Sequence, residues 1–171
     1  MKYDEAYVYF LVKKDDLDFD NETLYIPIDT TQKSGSSYCE NYGLLFDRAI
    51  DFVIVINGKE NSKIQVQERY EVLRANYSKE VYGFDTYVKE NVPDKDSPLF
   101  VDVNLILQMT QLINGKKVAE AEVFPTGRLI YGIANPEIQN YNSLSDFYRK
   151  DDCIEIRIPW QLLNFSDPSK L

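Results

Sequence analysis

The stretch Ile154-Glu155-Ile156-Arg157-Ile158 decides the fold class of this 171-residue chain. Isoleucines alternate here with charged residues, so that one side of the segment is apolar and the other side is charged. Successive side chains of a β-strand point to opposite faces of its sheet. The alternation therefore predicts a strand with one buried face and one solvated face.

The same alternation occurs in other segments, and two segments are apolar almost throughout. It extends over residues 64–67 and 101–108, which predicts further strands with one solvated face. By contrast, residues 7–12 and 52–56 contain almost only apolar side chains. We expect these two segments to be central strands that are buried on both faces.

Turn-forming residues separate the predicted strands. Asn57-Gly58, Asn114-Gly115 and Pro125-Thr126-Gly127 each lie between two apolar runs, which predicts three β-hairpins. The third hairpin would lead into a strand at Leu129–Ile133. Pro27 cannot donate a backbone hydrogen bond, and it therefore predicts an edge strand or a bulge at its position.

Together these features predict an all-β chain. We expect an antiparallel two-sheet β-sandwich, jelly-roll-like, with long loops and one or two short helices. Pro159 is a good first residue for a single helical turn at Trp160–Leu163, whereas Tyr70–Val81 fits either a loose helix or a strand and a loop. Because composition shows no break and no internal repeat, residues 1–171 are expected to form one domain, excised from a larger protein.

The composition excludes several classes of function. The chain has no histidine, which rules out Ser-His-Asp triads, Cys-His dyads and histidine metal sites. Its net charge of −9 argues against nucleic acid and anionic membranes as partners. The apolar stretch Ala6–Val12 is too short to insert into a bilayer. No local motif marks a catalytic carboxylate pair, so we expect a protein that is not an enzyme.

Four segments, in the same order along the chain, resemble family 9 carbohydrate-binding modules and their relatives in the DOMON-like β-sandwich superfamily. They are Glu5–Val12 with its acidic loop Asp15–Asp18, Leu24–Thr30, Asp51–Asn57, and Ile154–Trp160, which is similar to the closing "E-x-x-I-P-W" strand and turn. The resemblance implies a two-sheet sandwich appended to a larger extracellular or cell-surface protein. It also implies sugar binding at one end of the sandwich, often together with calcium.

The chain is rich in tyrosine, with 13 residues. An aromatic ring with a polar tip can stack on a sugar ring and still contact water, and binding residues commonly lie on loops. The candidate carbohydrate-binding residues are therefore the tyrosines predicted to lie on loops: Tyr38, Tyr42, Tyr77, Tyr82, Tyr87 and Tyr141. The alternative is that these tyrosines occupy strands and half-buried surfaces, as tyrosine commonly does.

The only tryptophan, Trp160, follows the last strand in an Ile-Pro-Trp turn. We expect it to cap the core, with its indole N–H donating to a backbone acceptor. The two cysteines, Cys39 and Cys153, are too few for a disulfide framework, and we expect free or buried thiols.

The acidic loop after the first long strand is the candidate metal site. Asp16, Asp18 and Asp20 provide carboxylates of the kind that calcium prefers, although the loop lacks the glycine and the glutamate of an EF-hand. No cofactor is required by this interpretation, and calcium is the candidate ion. The alternatives are a solvated acidic turn and a second carboxylate cluster of Asp29, Asp47 and Asp51.

The sequence thus supports two functions of different kinds. The first is a non-catalytic carbohydrate-binding-type module that holds glycan by tyrosine stacking and polar side chains. The second is a structural or protein-interaction β-sandwich without affinity for sugar. The expected partners are accordingly carbohydrate or neighbouring domains of the parent chain.

Overall fold

The computed structural model describes residues 1–31, 35–70, 93–163 and 165, and β-strands are its dominant element. Fourteen strands and three 3-10 turns lie in the described residues, without an α-helix among them. The strands are β1 (Lys2–Tyr3), β2 (Tyr7–Lys13), β3 (Leu24–Ile28), β4 (Ser36–Cys39), β5 (Leu44–Ile50), β6 (Phe52–Ile56), β7 (Lys63–Gln67), β8 (Phe100–Asp102), β9 (Asn104–Gln108), β10 (Gln111–Ile113), β11 (Lys116–Ala119), β12 (Glu122–Pro125), β13 (Phe147–Lys150) and β14 (Cys153–Pro159). The 3-10 turns are Glu40–Tyr42, Glu68–Tyr70 and Trp160–Leu163.

The strands assemble into several antiparallel sheets, which confirms the predicted all-β class. The described residues form two four-stranded sheets, with the orders β1-β2-β14-β13 and β3-β6-β7-β8, and three two-stranded sheets, β4-β5, β9-β12 and β10-β11. The turn at Trp160–Leu163 confirms the helical turn expected after Pro159. The predicted helix or strand at Tyr70–Val81 lies, beyond Tyr70 itself, outside the described residues.

The chain divides into two compact units, each made of separate segments. Unit 1 comprises Met1–Ile26, Ile54–Ile64 and Arg128–Leu171, and unit 2 comprises Pro27–Val53 and Gln65–Gly127. That residues 1–171 form one domain of a larger protein stays a prediction.

Strand β14, which contains residues 154–158, has one buried and one solvated face, as its alternation predicts. Ile154, Ile156 and Ile158 are at most 1% exposed, whereas Glu155 is exposed and Arg157 is half-buried. This strand is internal to the sheet of unit 1, because β2 pairs with one of its edges and β13 with the other. Its apolar face therefore belongs to the core of unit 1.

The prediction that residues 7–12 are buried on both faces is wrong. Val8 is 2% exposed, but Leu11 on the opposite face is 64% exposed. Directly opposite residues of antiparallel strands share a face, and the register places Leu11 opposite Glu155. Strand β2 thus has a solvated face, although its sequence is almost entirely apolar.

Strand β6 confirms the other buried prediction. All five residues of Phe52–Ile56 are at most 3% exposed, and the strand is internal to its four-stranded sheet. Strand β3, which contains Pro27, is at the edge of the same sheet. This edge position confirms the prediction made from Pro27, whose backbone has no N–H to donate.

Two of the three predicted hairpins form, and the third does not. Strands β6 and β7 are neighbours across Asn57-Gly58, and β10 pairs with β11 across Asn114-Gly115. Both residues of the latter turn have positive φ, 52° and 74°, as a type I′ turn requires. After Gly127, however, residues 129–133 form isolated bridges rather than a strand. The Gly127 N–H instead donates to the Val103 carbonyl, which ends the pairing there.

The alternation over residues 101–108 predicts strands with a buried apolar face, and this face is open in the structure. Leu105 and Leu107 are 54% and 56% exposed. They belong to β9, which together with β10, β11 and β12 forms a long hairpin (residues 104–125) in unit 2. Among its residues whose side chains are described, none is buried.

The cysteines conform to expectation, since both are free thiols and Cys39 is fully buried. Burial raises the pKa of the Cys39 thiol. Among the described residues, no helix has the length and apolar character needed to cross a membrane.

Candidate functional site

The solvated face of the sheet β1-β2-β14-β13 forms a groove of about 680 Å³ in unit 1, which we call the sheet groove. Its volume is within the range of small-ligand sites. The side chains that give it chemical character are aromatic or charged: Tyr3, Asp4, Tyr9, Tyr148, Glu155 and Arg157.

Strand register explains why these residues meet. Tyr9 of β2 is opposite Lys2 of β1 on one side and opposite Arg157 of β14 on the other. Glu155 is likewise opposite Tyr148 of β13. Because cross-strand partners share a face, the charged side of β14 and the tyrosines of its neighbours line one surface.

Asp4 is held in a fixed, ionised state at one side of the groove. Its Oδ1 accepts hydrogen bonds from the Ala6 and Tyr7 N–H groups, both at 2.8 Å, and its Oδ2 accepts one from the Tyr9 hydroxyl at 2.5 Å. The hydrogen bonds, that of Tyr9 first, lower the pKa of Asp4. The same bond and partial burial raise the pKa of Tyr9 to about 12. At neutral pH the pair is therefore a carboxylate beside a neutral phenol.

Arg157 connects the sheet to the loop that forms the other side of the groove. Its Nε donates to the Ser145 carbonyl at 2.7 Å, and its Nη2 donates to the Ser143 carbonyl at 2.5 Å. The guanidinium carbon lies 4.8 Å from the centroid of the Tyr7 ring, which is a cation–π distance. The planar fork thus fixes loop and sheet together.

A second carboxyl, Asp146, lies in that loop. Its Oδ2 accepts a hydrogen bond from the Ile130 N–H at 2.7 Å. Burial raises the pKa of Asp146, although this hydrogen bond and the nearby Arg157 oppose the change. Beside it, the Ser145 hydroxyl is buried and has no hydrogen-bond partner among the described residues. The loop therefore brings polar groups to a largely aromatic surface.

Trp160 contacts two residues of the groove, and its indole N–H donates to a backbone acceptor, as predicted. The Nε1–H donates to the Asp4 carbonyl at 2.9 Å. The Trp160 ring meets the Tyr3 ring edge to face, with 6.1 Å between centroids. Tyr3 itself remains 72% exposed and is free to present a face to solvent.

None of the described tyrosines predicted as sugar ligands lines the sheet groove. Tyr38 and Tyr42 belong to unit 2, where the Tyr42 hydroxyl donates to Gln65 Oε1 at 2.6 Å. Tyr141 belongs to unit 1 and is 47% exposed. Tyr77, Tyr82 and Tyr87 lie outside the described residues. A role for these six residues in sugar binding stays a prediction.

The tyrosines of the groove lie on or beside strands, whereas the sequence analysis predicted ligands only on loops. Tyr7 and Tyr9 alternate with Val8 and Phe10, which is a period-two signal in a segment that is otherwise apolar. A tyrosine at every second position indicates a solvated strand face as well as a charge does. That signal could have identified the groove face of β2.

A side chain of the acidic loop makes hydrogen bonds within the loop and stabilises a turn. The Asp18 carboxylate accepts two hydrogen bonds from Asn21 Nδ2, at 2.9 and 3.1 Å, and Asp16 takes a left-handed φ of 55°. Within the described ranges, no group of three or more cysteine or acidic side chains is arranged to hold a metal ion. Asp16, Asp18 and Asp20 therefore do not fit a calcium cage in this geometry, and calcium binding stays a prediction.

Calcium removal distinguishes that prediction from its alternative, the solvated acidic turn, which the hydrogen bonds of the loop favour. Since an ion bound only by the native state raises its apparent stability, binding here would make the melting temperature higher in millimolar calcium than in EGTA. From the geometry of the loop we expect the two temperatures to agree. A rise in calcium that disappears in an Asp16→Asn, Asp18→Asn, Asp20→Asn variant would contradict this expectation.

The alternative cluster of Asp29, Asp47 and Asp51 does not form a metal site either. Asp51 is completely buried, whereas Asp47 is exposed. Asp51 Oδ2 accepts hydrogen bonds from the Thr30 N–H, the Thr30 hydroxyl and the Thr31 N–H, at 2.7, 2.8 and 2.9 Å. The carboxylate thus organises the chain after β3.

Comparison with known proteins gives no assignment for this arrangement. No family model matches the chain, and neither a curated protein nor a solved structure matches it.

Proposed function

We propose that this chain is a non-catalytic carbohydrate-binding-type module of a larger surface or secreted protein, and that glycan is bound in the sheet groove. The observation that carries the proposal is the combination of tyrosine rings with charged side chains on one open sheet face. The C–H faces of a sugar ring can stack on aromatic rings, while its hydroxyls need polar partners.

The polar groups of the groove favour a neutral glycan. Glu155 offers carboxylate oxygens, which accept hydrogen bonds from sugar hydroxyls, whereas Asp4 already accepts three hydrogen bonds and keeps acceptor capacity only on Oδ2. The Arg157 guanidinium, in contrast, already donates to two backbone carbonyls of the loop. The lining holds three carboxyl groups, of Asp4, Asp146 and Glu155, against two cations, Lys2 and Arg157. A ligand rich in hydroxyl donors therefore complements this surface better than an acidic sugar does.

Glycan binding should depend on Tyr3, whose ring is the most exposed of the groove. We expect that Tyr3→Ala weakens binding to a glycan selected on an array by about tenfold, which corresponds to about 1.4 kcal/mol. Isothermal titration calorimetry measures the change. Tyr38→Ala separates the two possible locations of the sugar: it removes an exposed tyrosine of unit 2 that the sequence predicts as a ligand, and binding in the sheet groove leaves its affinity unchanged.

Two results would overturn this proposal. One is the absence of binding to any array glycan by wild-type protein that circular dichroism shows to be folded. The other is weaker binding by Tyr38→Ala while Tyr3→Ala binds normally, which would place the sugar among the tyrosines predicted from the loops.

A protein-interaction module is the second candidate function, because the long hairpin exposes large apolar side chains. Leu105, Leu107 and Phe124 are each more than half exposed. Such a surface is typical of contacts between proteins.

A further inference from the structure

The tetrapeptide Ile-Asn-Gly-Lys occurs twice in this chain, at residues 56–59 and at residues 113–116. In both places the isoleucine ends a strand and the Asn-Gly pair begins the turn to the next one. An asparagine before glycine is chemically labile, because glycine has no side chain to hinder the approach of its backbone nitrogen to the asparagine carboxamide. Since the two copies have the same sequence, a difference in their reactivity must come from the structure around them.

The first copy is held by a buried side chain. The Asn57 N–H donates to the Ser62 hydroxyl at 2.9 Å, and this hydroxyl donates to the Gly58 carbonyl at 2.6 Å. Ser62, Ile56 and Ile64 are each at most 1% exposed. Asn57 itself is exposed to water. Its backbone, however, cannot rotate towards Gly58 unless a buried part of the chain opens.

The second copy closes an exposed two-stranded ribbon. Ile113 of β10 pairs with Lys116 of β11, and Asn114 and Gly115 form the turn between them. All four residues are exposed, Ile113 by 62%. A two-stranded hairpin is only marginally stable in water, and segments with few buried contacts open locally at little free-energy cost. Asn114 can therefore leave its turn conformation while the rest of the chain stays folded.

We propose that Asn114 is a site of spontaneous deamidation in the folded protein, and that Ser62 and the buried strands beside it protect Asn57. The Gly115 backbone nitrogen attacks Asn114 Cγ and closes a cyclic imide, while the side-chain amide nitrogen leaves as ammonia with the proton of the Gly115 N–H. Water then opens the imide at either of its two carbonyls. The product is aspartate or isoaspartate, and the net reaction consumes one water and releases one ammonia.

Both products change the turn at Asn114. Each adds a negative charge, and isoaspartate also adds a methylene group to the backbone, because the chain then continues through the former side chain. The type I′ turn accommodates two residues of normal backbone length. In the isoaspartate product, β10 and β11 therefore lose the turn that sets their register.

Peptide mapping by mass spectrometry tests the proposal on protein incubated in mildly alkaline buffer, since it measures the conversion of each asparagine separately. In native protein we expect Asn114 to convert more than about tenfold faster than Asn57. In concentrated urea the two identical tetrapeptides should convert at equal rates. Asn114→Gln is the control, because glutamine does not form this imide readily and should remain an amide at that position.

A Ser62→Ala variant tests the protection of the first copy. It removes both hydrogen bonds that hold the turn, and we expect Asn57 to convert several-fold faster while Asn114 keeps its rate. Circular dichroism shows whether the variant is folded, and the comparison of native and urea-treated wild type does not depend on it. The proposal is overturned if Asn114 converts no faster than Asn57 in native protein, if their difference persists in urea, or if a folded Ser62→Ala variant leaves the rate at Asn57 unchanged.

Discussion

Replacement of Asp51 by alanine is expected to lower the free energy of unfolding by about 3 to 5 kcal/mol. The Asp51 side chain is completely buried, and one of its oxygens accepts three hydrogen bonds from Thr30 and Thr31. Alanine would leave these donors, which belong to half-buried threonines, without their acceptor. Each buried polar group that loses its partner costs about 1 to 3 kcal/mol.

Asp51 also joins neighbouring segments through its backbone. Its N–H donates to the Ile28 carbonyl, and its own carbonyl accepts a hydrogen bond from the Gln67 N–H at 2.7 Å. The Asp51 carboxylate also affects nearby Tyr70. Burial and the Asp51 charge raise the pKa of the Tyr70 phenol to about 12. One residue thus links the chain after β3, the start of β6 and the end of β7.

Urea denaturation, monitored by circular dichroism, measures the decrease in the free energy of unfolding. Asp51→Asn keeps one acceptor oxygen and nearly the same volume, and we expect it to cost less than alanine. Asp47→Ala is the control, because an exposed position should change the free energy by less than about 0.5 kcal/mol. A loss below about 1 kcal/mol for Asp51→Ala would show that the three donors find other acceptors or water.

Arg157→Ala is expected to destabilise the protein by about 2 kcal/mol and to weaken glycan binding more than tenfold. The substitution removes two charge-assisted hydrogen bonds to the Ser143 and Ser145 carbonyls and the contact with Tyr7. The freed carbonyls can be hydrated at the surface, which limits the loss of stability. Binding should suffer more, because the loop that carries Asp146 would no longer be fixed against the sheet.

The Arg157→Lys variant distinguishes the effect of the positive charge from the effect of the two hydrogen bonds. Lysine keeps the positive charge but lacks the planar fork that reaches two carbonyls at once. We expect binding to remain several-fold weaker than in wild type. Arg128→Ala is the control, since its exposed pair with Glu60 should contribute less than about 1 kcal/mol. Normal affinity in Arg157→Ala would argue against the groove as the binding surface.

The alternation of residues 154–158 was sufficient to predict the strand and its buried face. Periodicity tells which side chains share a face, but it does not tell whether another element covers that face. Leu105 and Leu107 show the difference, since they have the spacing of a core strand and remain exposed. The same limit explains β2, whose apolar side chains were interpreted as burial on both faces.

The groove needed strand register, which no local pattern contains. Tyr9 and Arg157 are far apart in the sequence, and they meet only because β2 pairs with β14 in one particular alignment. A shift of one residue would move Tyr9 to the apolar face of its neighbour. Turn geometry, by contrast, is local, and Asn114-Gly115 was therefore predicted correctly from two residues.

The pairing of β2 with β14 also determines when the sheet of unit 1 can form during synthesis. Tyr7 pairs with Pro159, and Lys13 pairs with Cys153. A ribosome must therefore translate the chain at least to residue 159 before β2 obtains this neighbour. Contacts between such distant residues close a large loop and slow folding. In a nascent chain that ends before residue 153, β2 has only β1 as a neighbouring strand, and the groove does not yet exist.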